Sequence, residues 1–125
     1  MKYLEELEQS ALDRDIPIMQ RAGLEELIGE LIKRQSSSVL EIGSAVGYSA
    51  LMMVNNVDHL TVETIERDDE RYREAYQNIH DYHQEERIIV HHDDALLMDT
   101  ATLKAAPYDC LFIDAAKAQY QKFFE

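Results

Sequence analysis

A chain of 125 residues with 46% hydrophobic content is long enough to bury one core, and it reads as a single domain. Twenty-five acids against twelve bases give a net charge of −13, which opposes tight docking on a polyanion unless sequence outside this chain carries a basic face. The opening MKYLEELEQS is acidic where an export signal needs a basic start and an apolar stretch. Charges also interrupt every apolar run before it could span a membrane. The single Cys110 excludes an internal disulfide and lies in the apolar run Tyr108 to Ile113, where a buried thiol is expected. A reduced, cytoplasmic protein follows as the expectation.

Tyr3 to Leu12 forms a short acidic amphipathic helix that stops near Asp15-Ile16-Pro17, because proline disfavours helix in the residue before it. Leu24, Leu27, Ile28, Leu31 and Ile32 fall at i, i+3, i+4, i+7 and i+8, a second helix with one core-facing stripe. Ser36, Ser37 and Ser38 connect it to the first strand. From Val39 onward, short apolar runs alternate with amphipathic helices, the signature of βαβ units. The expected strands are 39–42, 60–65, 88–91 and 109–113. The expected helices are 48–54, 69–82, with Tyr72, Ala75, Tyr76 and Ile79 at helical spacing, and 95–103. A further helix is expected to begin near Lys117. Right-handed crossovers then give an α/β, Rossmann-like parallel sheet in the order 3-2-1-4. Residues 1–35 hold the N-terminal helices and 36–125 the sheet domain. With the chain ending at Phe123-Phe124-Glu125, strand four is expected to be an open edge prone to self-association.

The first strand runs into Glu41-Ile42-Gly43-Ser44-Ala45-Val46-Gly47-Tyr48-Ser49. Such a turn brings backbone N–H groups and a helix N-terminus to the carboxyl end of the sheet, where ligands of open α/β folds bind. Its G-x-x-x-G spacing departs from the G-x-G-x-x-G of dinucleotide folds, and a plain strand-to-helix turn is the alternative. Glu66 ends strand two about 20 residues on, where an acid can accept from both ribose hydroxyls of a nucleoside. A solvated charge at a strand end is the competing reading. Strand three ends in His91-His92-Asp93-Asp94-Ala95. An acid there can accept from an adenine amino group, whereas neighbouring residues on one strand face opposite sides and make a poor metal site.

VLEIGSAVGYSAL, TIERD, HDDAL and FIDAAKAQY together resemble the class I methyltransferases, specifically the metal-dependent O-methyltransferases related to the catechol and caffeoyl-CoA enzymes. The resemblance runs from about Pro17 to the last residue. Within it, PIMQRAG, IERDDERY and FIDAAKAQYQKFFE look closest to the bacterial members that methylate 5-hydroxyuridine in tRNA. The resemblance implies S-adenosylmethionine as cofactor, with Gly43 and Gly47 against its methionine part, Ser49 on its carboxylate and Glu41 beneath its amino group. It further implies Glu66 on the ribose and Asp94 with Ala95 beside adenine. Asp114 corresponds to a metal ligand for Mg²⁺ or another divalent cation, Lys117 to the general base, and Tyr120 to an aromatic residue near the acceptor. A homodimer is expected of the intact protein.

The chemistry is consistent with these residue types, since methyl transfer from a sulfonium needs donor and acceptor in line and a deprotonated oxygen. Taken without the resemblance, Asp114 reads first as a helix N-cap and Lys117 as a solvated first-turn residue. The family's Asp-Asn pair after the next strand is absent, so the chain reads as the first part of a longer enzyme. Three alternatives stand beside tRNA methylation: a catechol-like small-molecule acceptor, an inactive cofactor-binding fragment, and a nicotinamide-dependent oxidoreductase disfavoured by the glycine spacing.

Overall fold

The computed structural model describes residues 1–94, 108–115 and 118–123. In chain order the elements are α1 (Glu5–Asp13), α2 (Arg21–Lys33), β1 (Ser38–Ile42), α3 (Tyr48–Asn56), β2 (Thr61–Glu66), α4 (Asp69–Asp81), β3 (Ile88–His92), β4 (Cys110–Ala115) and β5 (Ala118–Phe123). The sheet order is β3-β2-β1-β4-β5. Its first four strands are parallel and stand in the order expected from right-handed crossovers. The expected helix over 95–103 lies outside the described residues.

Two expectations fail at the far edge. The segment after Lys117 is not helical: β5 runs antiparallel to β4, pairing Phe123 with Cys110 and Ala118 with Ala115. Ala, Lys and Gln favour helix locally, but a few residues cannot offset the cost of helix nucleation, whereas the open β4 ladder offers backbone partners at once. The edge of β4 is therefore covered by the chain's own β5.

Leu24, Leu27, Ile28 and Leu31 bury the stripe of α2, while Ile32, at its margin, is exposed. Tyr48 through Val54 are all buried, which makes α3 the central helix. On α4, Ala75 and Ile79 face the core; Tyr76, counted in the same stripe, is exposed and stacks on His80 with ring centroids 5.8 Å apart. The N-terminal helices share this core through Ala11, Ile16, Met19 and Leu24.

Three helices stop at non-glycine residues in the left-handed region, namely Asp15, Gln35 and His83. After each, the next amide reaches back five residues: Ile16 to Ala11 O, Ser36 to Leu31 O and Gln84 to Ile79 O, at 2.9–3.0 Å. These bonds satisfy carbonyls that the helix end would otherwise orphan. The end of α3 is closed instead by Arg87, which donates to Val54 O, Val57 O and Leu60 O. At the start of β1, the Asp109 carboxylate accepts from the Ser37 amide at 2.6 Å, the Ser37 hydroxyl and the Ser38 amide, tying the serine connection to β4.

Candidate functional site

The turn between β1 and α3 is held to β2 by three consecutive residues. Gly43 N donates to Ile65 O at 2.8 Å, the Ser44 and Thr64 hydroxyls meet at 2.5 Å, and Ala45 N donates to Glu66 Oε1 at 2.7 Å. Gly47 N closes the turn on Ser44 O, and Asn78 of α4 donates to Val46 O from behind. Gly43 and Gly47 have φ of 95° and 83°, a region that favours glycine. A Cβ on Gly47 would also lie 3.4 Å from Ala75 Cα. The first backbone bond of α3 is Leu51 N to Gly47 O, so the amides of Tyr48, Ser49 and Ala50 have no acceptor within the helix. They carry the positive end of its dipole.

Beneath the turn, the fully buried Glu41 carboxylate accepts from the Ser49 hydroxyl and, at 2.7 Å, from the Thr64 hydroxyl. Beside it, Glu66 accepts from Ala45 N on one oxygen and Asp68 N on the other. Asp68 in turn caps α4 by accepting from Arg71 N at 2.8 Å. The end of β3 joins this corner through Asp93 N and Glu66 O, 3.0 Å apart, with Asp94 next in the chain. Gly43, Gly47, Ser49, Glu66 and Asp94 thus stand at one end of the sheet. Ala95 and Lys117 lie outside the described residues, and Asp114 sits on β4 in register with Gln119 of β5. Tyr120 is on β5, in register with Ile113.

The His91-His92-Asp93-Asp94 run divides as strand geometry requires. His91 Nε2 meets the buried Glu63 at 2.5 Å, and Glu63 also accepts from Tyr108 at 2.9 Å. His92 stacks on Tyr72, centroids 4.9 Å apart. Among the described residues, no three acidic, histidine or cysteine side chains converge to hold a metal ion.

Sequence reasoning passed over Ser44 and Thr64, whose pairing depends on β1–β2 register, and over the clamp made by the first two helices. Arg21 donates to both oxygens of Glu8, at 2.6–3.0 Å, and lies over the Tyr3 ring at 4.2 Å. Tyr48, at the start of α3, donates to Glu8 at 3.3 Å. The Arg21 hydrogen bonds hold the Glu8 carboxyl below its usual range. Burial, reinforced by Glu8, pushes the Tyr48 phenol up to about 12, so it stays neutral near pH 7. The acids of α1 and Arg21 at the start of α2 are the signal of this clamp in the sequence.

An open α/β sheet with a glycine turn and a strand-end acid at its carboxyl edge places these residues where ligands of such folds bind. The family model for O-methyltransferases matches residues 1–125, and the chain belongs to that family. It is similar to a structure described as a caffeoyl-CoA O-methyltransferase from Staphylococcus aureus, with 32% identity and a TM-score of 0.86 over 94% of this chain and 56% of that one. It is also similar to the O-methyltransferase from Bacillus cereus in complex with S-adenosylhomocysteine, with 26% identity and a TM-score of 0.77 over 90% of this chain and 53% of that one. The chain therefore spans about half the length of these two proteins. No helix among the described residues is long and apolar enough to cross a membrane.

Proposed function

We propose that this chain is the S-adenosylmethionine-binding part of an O-methyltransferase that acts on a hydroxyl group, with 5-hydroxyuridine in tRNA as the favoured acceptor. The observation that carries the cofactor reading is the geometry of Glu66. Its two oxygens each hold one backbone amide. A carboxylate has about four acceptor sites, so each oxygen keeps capacity for one of two adjacent ribose hydroxyls. Gly43 and Gly47 let the turn approach the methionine part, and the first amides of α3 suit its carboxylate. Asp94, at the same corner, is the acceptor for the adenine amino group.

When bound, S-adenosylmethionine supplies a methyl group made electrophilic by its sulfonium. The chain's own residues hold that donor still at the carboxyl end of β1, which removes much of the entropic cost of an in-line displacement. A divalent cation on Asp114 and proton acceptance by Lys117 belong to the same reading. Among the described residues no set of side chains completes a cation site. The tRNA acceptor rests on the resemblance of PIMQRAG, IERDDERY and FIDAAKAQYQKFFE.

Thermal shift with S-adenosylhomocysteine and with NAD tests the cofactor. The former at about 100 times its dissociation constant adds about 2.7 kcal/mol of stability, and stabilisation by NAD alone would overturn the reading. Methyl transfer from labelled S-adenosylmethionine to 5-hydroxyuridine-containing tRNA and to a simple catechol, with Mg²⁺ or with EDTA, tests acceptor and metal. Turnover that survives EDTA would sink the role of Asp114.

A further inference from the structure

Four polar side chains beneath the glycine turn are buried in a row: Glu41 and Thr64 at 0% exposure, Ser44 at 1% and Ser49 at 4%. Glu41 and Thr64 are register partners on β1 and β2, and their side chains project from the same face. Thr64 donates to Glu41 at 2.7 Å and Ser49 donates to the other carboxylate oxygen. A hydroxyl has one proton. With the Thr64 proton on Glu41, the 2.5 Å contact between Ser44 and Thr64 requires Ser44 to be the donor. The row therefore has a fixed polarity, Ser44 to Thr64 to Glu41, with Ser49 entering from the opposite side. Each member polarises the next.

We infer that Thr64 is a positioning residue of the cofactor site: backed by Ser44, it holds the Glu41 carboxylate in the one orientation that presents negative charge to the cofactor's ammonium. This rests on the cofactor reading above. The chain from Ser44 also links that orientation to the turn itself, because Ser44 lies between Gly43 and Ala45, both bonded to β2. Removing the Thr64 hydroxyl takes away one of the hydroxyl donors that orient the Glu41 carboxylate, with Ser49 still on the other oxygen, and leaves the Ser44 proton without its acceptor. The loss is confined to recognition of the amino-acid end, since the ribose and adenine contacts proposed for Glu66 and Asp94 come from other strand-end residues.

The test compares the 125-residue chain with its Thr64→Val and Thr64→Ser variants by calorimetric titration of two ligands. S-Adenosylhomocysteine carries the ammonium; 5′-methylthioadenosine keeps the nucleoside and lacks the amino-acid group. Thr64→Val is expected to weaken S-adenosylhomocysteine about tenfold, the loss of one charge-assisted hydrogen bond, and to leave methylthioadenosine within about twofold. Thr64→Ser restores the parent's preference. Equal weakening of both ligands, or unchanged S-adenosylhomocysteine binding in Thr64→Val, overturns the inference alone. Failure of the parent chain to bind S-adenosylhomocysteine overturns the cofactor reading and this inference with it. Should Thr64→Val not fold, Ser44→Ala, which removes only the upstream donor, must show the same selective loss; a loss shared by both ligands again overturns the inference.

Discussion

Two alanine substitutions of opposite sign test how the glycine turn is built. Gly47 has φ of 83° and would place a Cβ 3.4 Å from Ala75 Cα and 3.5 Å from its Cβ. The spacing itself is ordinary contact, so the cost comes from the left-handed backbone, about 1–2 kcal/mol for an L side chain. Reduced freedom of the unfolded chain returns about 0.4–1 kcal/mol, and Gly47→Ala should lose about 1 kcal/mol net. Gly29 is the control. It is exposed on α2, and its added Cβ would meet nothing within 4 Å. There the same entropy term acts with helix propensity, and Gly29→Ala should gain about 0.5–1 kcal/mol. Urea titration of both variants against the parent chain should therefore separate them by about 2 kcal/mol, or about 6–8 °C in Tm for a domain of this size. Equal shifts, or a stabilised Gly47→Ala, would refute the claim that the turn depends on a left-handed residue at 47.

Glu66→Ala should weaken S-adenosylhomocysteine binding by about 1.5–3 kcal/mol, the worth of a charge-assisted hydrogen bond, measured by calorimetric titration; unchanged affinity would remove Glu66 from the site. Backbone and side-chain hydrogen bonds from Ser37, with the Ser38 amide, hold Asp109 below its usual range. An acid depressed in the folded state contributes stability above its unfolded pKa of about 3.9, lost as pH falls through the folded value. The stability gap between the parent chain and Asp109→Ala, read from urea midpoints, should thus be full near neutral pH and shrink in acid below that range. Burial pushes the Cys110 thiol up to about 11. Ellman's reagent near pH 8 should accordingly leave it untouched in the folded chain and titrate one thiol in urea; prompt native reaction would contradict its packing.

Hydrophobic period and turn chemistry, both local, make much of this protein legible in its sequence. The stripe of α2, the apolar runs of the parallel strands, the glycine turn after Ile42 and the acid closing β2 all lie within short windows. Right-handed crossover then leaves few ways to order the strands. The helix ends were less legible because Asp15, Gln35 and His83 adopt the left-handed conformation without the glycine that usually announces it. Ser44 and Thr64 are 20 residues apart, and Glu63 and Tyr108 are 45 apart; only strand register brings such pairs within hydrogen-bonding distance. The segment after Lys117 shows the contrast most directly. Its helix-favouring composition is a preference of fractions of a kcal/mol per residue, whereas the open ladder of β4 supplies backbone hydrogen bonds that exist only once the sheet has formed, and tertiary pairing decided the outcome.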